Sequence, residues 1–79
     1  MTIRVNGEPM EVAGPRTLAA LLAELNIDPR RVAVEHNLTI VKRAQHDAVI
    51  VREGDEIEIV NFVGGGAAAP ADPKGPRSA

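Results

Sequence analysis

The sequence contains no cysteine, no tryptophan and no tyrosine, and Phe62 is its single aromatic residue. Without cysteine there is no disulfide framework, no thiolate zinc site and no cysteine nucleophile. With one aromatic side chain the core must be aliphatic, and recognition of RNA by base stacking is nearly closed. The chain also lacks the basic excess of a nucleic-acid surface: nine Lys and Arg stand against eleven Asp and Glu, a formal net charge of −2. No apolar stretch reaches the roughly 18 residues of a membrane span. No charged segment followed by an apolar run opens the chain, so no signal peptide is expected. A small domain without disulfides fits a reducing compartment, and the cytoplasm is the expected location.

What is present suffices for one small domain. The chain has 79 residues, of which 44% are hydrophobic. A domain of this size buries only about 60% of the surface its unfolded chain exposes, which argues against a large catalytic cleft. Binding, carrying or scaffolding suits it better.

Thr2-Ile3-Arg4-Val5 alternates polar and apolar, as a half-buried strand does. Asn6-Gly7 comes next, a strong hairpin signal because both residues accept positive φ. Glu8 to Val12 resumes the alternation, so residues 2–12 are predicted as a β-hairpin with Ile3, Val5, Met10 and Val12 on the inner face. Pro9, lacking an N–H, belongs at a strand start or on a free edge. Residues 13–16 read as a loop and Thr17 as a helix N-cap. Leu18, Leu21, Leu22 and Leu25 fall at i, i+3, i+4 and i+7, one face of an amphipathic helix. Asn26 can close that helix in a left-handed conformation before Pro29. Short strands are expected at 32–35 and 39–41, with a turn at His36-Asn37 between them. Residues 43–48 read as a helical turn, and the apolar run 48–51 is ambiguous. Glu53-Gly54-Asp55 is a turn. Residues 56–60 form the last strand, with Ile57 and Ile59 inward.

A hairpin, a crossover helix and late strands, one of which can pair beside the first, make an α+β fold of the β-grasp type: a mixed sheet with one main helix on one face. This domain is expected over residues 1–63. Gly64, Gly65 and Gly66 come next as a side-chain-free arm. Residues 67–79 hold no Val, Ile, Leu, Met or aromatic residue but three prolines, Pro70, Pro73 and Pro76. Such a segment cannot bury enough apolar surface to offset its chain entropy, so 67–79 is expected to be disordered.

The glycine run has two readings. It can be a plain linker, which composition alone slightly favours. Alternatively, because it succeeds the last strand directly, it can be an arm that threads a narrow channel in a partner enzyme, where a terminal carboxylate is activated by ATP. Phe62 also has two readings, core packing or an outward apolar contact. If Ile57 and Ile59 face in, Val60 and Phe62 face out beside the arm, where an apolar pair suits a partner surface. His36 and His46 lie in expected loops and read as solvated rather than metal-binding. Arg30-Arg31 reads as a solvated pair, and Glu53, Asp55, Glu56 and Glu58 as turn chemistry plus an exposed strand face that can add an acidic docking rim. Gly64–Gly66 lacks the Lys-Ser/Thr and helix of a phosphate-binding P-loop, so any ATP belongs to a partner.

Three stretches carry a family resemblance: Ile3-Arg4-Val5-Asn6-Gly7-Glu8-Pro9; Asp28-Pro29-Arg30-Arg31-Val32-Ala33-Val34-Glu35-His36-Asn37; and Glu53-Gly54-Asp55-Glu56-Ile57-Glu58-Ile59-Val60-Asn61-Phe62-Val63-Gly64-Gly65-Gly66. Together with the leucine helix they make residues 1–66 resemble the ThiS family of thiamine-biosynthesis sulfur carriers, which are ubiquitin-like. The resemblance implies a β-grasp fold and a carrier that is not itself an enzyme. It implies that an E1-like adenylyltransferase, using ATP that this chain does not bind, adenylates the terminal glycine. A donor such as a cysteine desulfurase then supplies sulfur, and the glycyl thiocarboxylate delivers it to thiazole synthase. Carried over, the reacting carboxyl belongs to Gly66 and the arm is Gly64 and Gly65. From the apolar end of the last strand itself, Val60, Phe62 and Val63 are the expected partner interface. No cofactor and no metal is expected on the chain itself.

Members of that family normally end at the glycines, whereas this chain continues through Ala67–Ala79 and Gly66 carries an amide. The favoured expectation is that a processing protease removes 67–79, since an exposed tail after glycines is accessible to cleavage. A tail that inactivates the chain is the second explanation. The competing functions are the related carrier of molybdopterin synthase and a β-grasp protein-binding module with no carboxyl chemistry.

Overall fold

The computed structural model describes residues 1–63 and 67–70. Strands β1 (Thr2–Val5) and β2 (Glu8–Glu11) form the expected antiparallel hairpin, with Asn6 at φ 51° and Gly7 at φ 81° in the turn. Both positive values explain why Asn-Gly stands there. Ile3 and Val5 are fully buried, and Met10 and Val12 pack against the same core. Pro9 lies on β2, the outermost strand on that side, where the lost N–H is tolerated. The Met1 ammonium donates to the Val12 carbonyl at 2.7 Å and Val12 N–H donates back to the Met1 carbonyl at 2.9 Å, which ties off the open end.

Helix α1 (Leu18–Glu24) starts as its sequence dictates. Thr17 Oγ1 accepts the Ala20 N–H at 3.0 Å, which satisfies one of the orphan donors of the first turn. It ends on Asn26 at φ 58°, with Asn26 N–H donating to the Ala23 carbonyl and Ile27 N–H to the Leu22 carbonyl. That pair of bonds is a Schellman closure with asparagine in the usual glycine position. Leu18, Leu21 and Leu22 are buried and Leu25 partly so, the face the leucine spacing predicted.

Two segments differ from expectation because they are too short to show a period. Arg16–Thr17 (β3) pairs with Ile50–Val51 (β6, in chain order) as a small antiparallel ladder beside the helix start. The first was expected to be a loop and the second was ambiguous. Between them run a 3-10 turn at Pro29–Arg31, strand β4 (Val32–His36), strand β5 (Thr39–Val41) and a second 3-10 turn at Arg43–Gln45. The β4–β5 turn also moves by one residue. His36 is the last residue of β4, paired with Thr39, and the turn is Asn37-Leu38, at φ 50° and 71°. A two-residue hairpin turn of this hand needs positive φ at both positions; Asn37 accepts it readily, and Leu38 stands 81% exposed.

Strand β7 (Glu56–Val63) is the central strand and is longer than the five residues expected. The sheet order is β2–β1–β7–β4–β5. β1 runs parallel to β7, and the other pairs on this path are antiparallel. This is the mixed sheet of the expected β-grasp. Its inner face offers Ile3, Val5, Val32, Val34, Val41, Ile57 and Ile59 to the leucines of α1. Each fully buried aliphatic side chain contributes about 1.5–3 kcal/mol relative to exposure, and together they offset the chain entropy of a small domain.

The expectation of disorder from residue 67 onward is corrected for its first four residues. Ala67–Pro70 form strand β8, antiparallel to β7, with Val60 opposite Pro70, Asn61 opposite Ala69, Phe62 opposite Ala68 and Val63 opposite Ala67. Composition speaks only to side-chain burial. A segment added to an open strand edge gains backbone hydrogen bonds instead, and these need no apolar residues. The glycine arm at 64–66 and the expected disorder of 71–79 lie outside the described residues.

Candidate functional site

The site expected from the sequence lies at the far end of β7. This strand emerges from the core between Ile57 and Ile59, both buried, and continues past them to Val63. Pleat alternation sends Glu56, Glu58, Val60 and Phe62 to the face opposite the helix. Phe62 is 54% exposed there, which removes the core-packing reading of that residue. Val60 is half-buried opposite Ala33 of β4. Gly64, Gly65 and Gly66, and the side chain of Val63, lie outside the described residues.

The open face divides into two halves. Near the arm it presents Ala33, Val60 and Phe62. Farther back, Glu35 of β4 stands directly opposite Glu58, with Ile40 of β5 on the other side of Glu35 at 73% exposure. Like charges directly opposite on a sheet repel, so the Glu35–Glu58 pair adds nothing to folding and leaves an acidic patch beside an apolar one. Of the four acidic residues Glu53, Asp55, Glu56 and Glu58, alternation puts Glu56 and Glu58 on this open face, and Glu35 joins them from a strand whose sequence gave no sign of the connection, whereas Asp55 is held within its turn.

The histidines are not solvated loop residues. His36 Nε2 lies 2.6 Å from Asp55 Oδ2, which also accepts the Arg52 N–H at 2.9 Å. Asn37 Nδ2 donates to Asp55 Oδ1 at 3.2 Å, and Asn37 Oδ1 accepts the Glu56 N–H at 2.9 Å. These bonds clamp the β4–β5 turn to the turn that launches β7. Burial pushes the Asp55 carboxyl up, but the donors from His36, Arg52 and Asn37 outweigh it and hold it below its ordinary range. The signal was available in the turn residue Asp55, but its partner nineteen residues away was not. His46, only 4% exposed, ends the second 3-10 turn, where its carbonyl accepts the Ala19 N–H at 3.0 Å. Its Nδ1 has no hydrogen-bond partner.

Arg30 and Arg31 are exposed as expected, yet both reach Asp28. Arg30 makes a two-pronged ion pair with it, and the Arg31 guanidinium lies 3.8 Å away. The hydrogen bonds from Arg30, with the two guanidinium charges, lower the Asp28 pKa to about 2. Asp28 Oδ1 also caps the 3-10 turn through the Arg30 N–H, so this cluster fixes the entry into β4.

Among the described residues no three His, Asp or Glu side chains gather as a metal site would, and no helix is long and apolar enough to cross a membrane. The Asp28 and Asp55 clusters serve turns, and the Arg16–Glu24 ion pair ties β3 to the end of α1. What the arrangement offers chemically is a surface: an apolar and acidic sheet face whose central strand leads directly into the glycine run.

Comparison with known proteins agrees with this arrangement. The ThiS family model matches residues 3–66. The thiazole synthase of Magnetococcus marinus is 46% identical over 72 residues, 91% of this chain and 22% of that protein. The chain spans about a fifth of the length of the curated thiazole synthases it matches. The sulfur carrier protein ThiS of Bacillus subtilis is 40% identical over 50 residues, 63% of this chain and 76% of that one. The crystal structure of the thiamine biosynthesis protein ThiS from Geobacter metallireducens superimposes with a TM-score of 0.76 at 36% identity, covering 84% of this chain and all of that one. The family match takes in the hairpin, the leucine helix, the whole of β7 and the glycines as far as Gly66, and the chain belongs to the ThiS family.

Proposed function

We propose that this domain is a sulfur carrier for the thiazole of thiamine, holding sulfur as a thiocarboxylate on Gly66 once the Gly66–Ala67 bond has been cut. The observation that carries the reading is the course of β7: the central strand of a ThiS-family fold leads without interruption to Val63, the residue before the glycines. The chain acts as a carrier and not as a catalyst. Cleavage frees the carboxylate. Its oxygen attacks the α-phosphate of ATP held by an E1-like adenylyltransferase, pyrophosphate leaves, and an acyl adenylate forms. A sulfur nucleophile from a donor attacks the acyl carbon and AMP leaves; hydrosulfide gives the thiocarboxylate directly, whereas a persulfide gives an acyl disulfide that a thiol must reduce to it, and thiazole synthase consumes the thiocarboxylate. Because the sulfur rides on a main-chain carboxyl, the absence of cysteine costs this chemistry nothing. Val60, Phe62 and Val63 dock the partners, and the acidic patch behind them favours a partner with basic side chains at that rim. The reaction belongs in the cytoplasm. The names of the relatives favour thiamine over the molybdopterin reading.

A second reading has its own observation. The 72-residue match to a much longer thiazole synthase necessarily takes in residues 8–72 of this 79-residue chain, so the similarity passes beyond Gly66. In that reading the domain serves thiazole synthase chemistry with the Gly66–Ala67 bond intact.

Intact-mass measurement of the protein from its own cells separates the two. Carrier function by cleavage predicts a species ending at Gly66, part of it carrying sulfur in place of a carboxylate oxygen. A Gly66-ended chain incubated with ATP and the E1-like enzyme should form the adenylate. Only uncut mass in cells, together with no adenylate in the assay, would leave the family fold without the carrier chemistry.

A further inference from the structure

The edge of β7 that faces β1 is covered in three successive pieces. β1 pairs with it only at Glu56 and Ile57. Asn6 comes next: its N–H donates to the Ile57 carbonyl at 2.9 Å, and its Oδ1 accepts the Ile59 N–H at 2.7 Å. The asparagine amide thus extends the ladder past the point where β1 turns away. Strand β8 then takes over at Val60–Val63.

Alternation decides which groups face this edge. Ile57 and Ile59 direct their backbone groups towards it, so Asn61 and Val63 do the same. Glu58, Val60 and Phe62 direct theirs towards β4. By register, Asn61 meets Ala69 and Val63 meets Ala67. Ala67 and Ala69 therefore bond to β7, while the backbone groups of Ala68 and Pro70 turn away. Pro70, which has no N–H, stands at a position that needs none. A row of unpaired strand groups is a template for another strand, and an extended peptide can add to such an edge.

We propose that β8 is an intramolecular plug: Ala67–Pro70 occupies the pairing edge of Val60–Val63 in the uncut chain, and so withholds that edge from an extended segment of the adenylating enzyme. Cutting after Gly66 removes the covalent tie. A four-residue strand of three alanines and a proline then leaves, and the partner's strand replaces it on the same backbone groups. The identity of the partner rests on the carrier reading; the pairing itself does not.

The test uses four forms: the full chain, Ala68→Pro, Ala69→Pro and a chain ending at Gly66. All four keep the core intact. Proline at 69 removes an N–H that bonds to β7, whereas proline at 68 removes one that faces away. Amide exchange followed by NMR should show Asn61 and Val63 protected in the full chain and in Ala68→Pro. It should show exchange at least tenfold faster in Ala69→Pro and in the Gly66-ended form. Binding to the purified adenylating enzyme, measured by calorimetry, should follow the same division, at least tenfold tighter for the last two. Equal exchange in all four forms overturns the plug. So does an Ala69→Pro chain that exchanges fast yet binds as weakly as the full chain, because tail bulk rather than pairing would then do the masking. A Gly66-ended chain that neither binds nor is adenylated overturns the adenylating enzyme as partner together with the carrier reading, and the exchange data then report separately on the pairing.

Discussion

Asp55 gathers three donors onto one carboxylate, from His36, Asn37 and the Arg52 backbone, and its charge is what those bonds require. Its pKa is lowered in the folded state, so its contribution is complete above the ordinary carboxylate range near pH 4 and is lost as pH falls through the lower folded value. Asp55→Asn should cost about 1–3 kcal/mol at neutral pH, because hydrogen bonds to a charged acceptor are lost. It should also flatten the fall in melting temperature as pH drops below the ordinary carboxylate range; an unchanged acid profile would show that other carboxylates govern it. Phe62 supplies the opposite case. With its ring 54% exposed, Phe62→Ala should shift folding stability by no more than about 0.5 kcal/mol by denaturant titration. The same substitution should weaken binding to the partner enzymes by about 1–2 kcal/mol, as loss of an aromatic anchor does. Residue types alone foretold the role of Thr17 and Asn26, since capping is decided within one turn. They did not foretell His36 or His46, whose surroundings come from segments distant in sequence.

Elements were legible in proportion to how much period they carry. Four leucines at helical spacing defined α1, and alternation with Asn-Gly defined the first hairpin. Two-residue ladders such as β3 and β6 carry no period, and their pairing comes from the helix start meeting residues 46–51. β8 was illegible for a different reason: its composition argues for disorder, and only the vacant edge of β7 gives it a partner. Asn6 was read as a turn residue, which it is, but its side chain also belongs to the sheet. Asn6→Gly keeps the positive φ of the turn and loses the bond to Ile59. It should destabilise the domain by about 1 kcal/mol and speed exchange of the Ile59 amide; slow exchange there would mean that β1 alone orders that part of β7.

At the scale of the molecule, the buried cluster among the described residues is drawn from residues 3–59, so the fold does not rest on the exposed ring of Phe62. A chain ended at Gly66 should therefore melt within a few degrees of the full chain, and a loss of cooperative unfolding would instead make β8 part of the fold. Upstream deletions have no such tolerance. β1 pairs in parallel with β7, so one of the earliest strands of the chain waits for the latest strand of the core. The loop between them must close before either is rewarded, and such distant pairings slow folding. During synthesis the hairpin and the helix can form locally, but the sheet has no centre until Glu56–Val63 has been made. A ribosome stalled before that point holds a chain with its leucines uncovered, so the same strand that precedes the glycine run in the sequence also decides when the nascent protein stops being a client for chaperones.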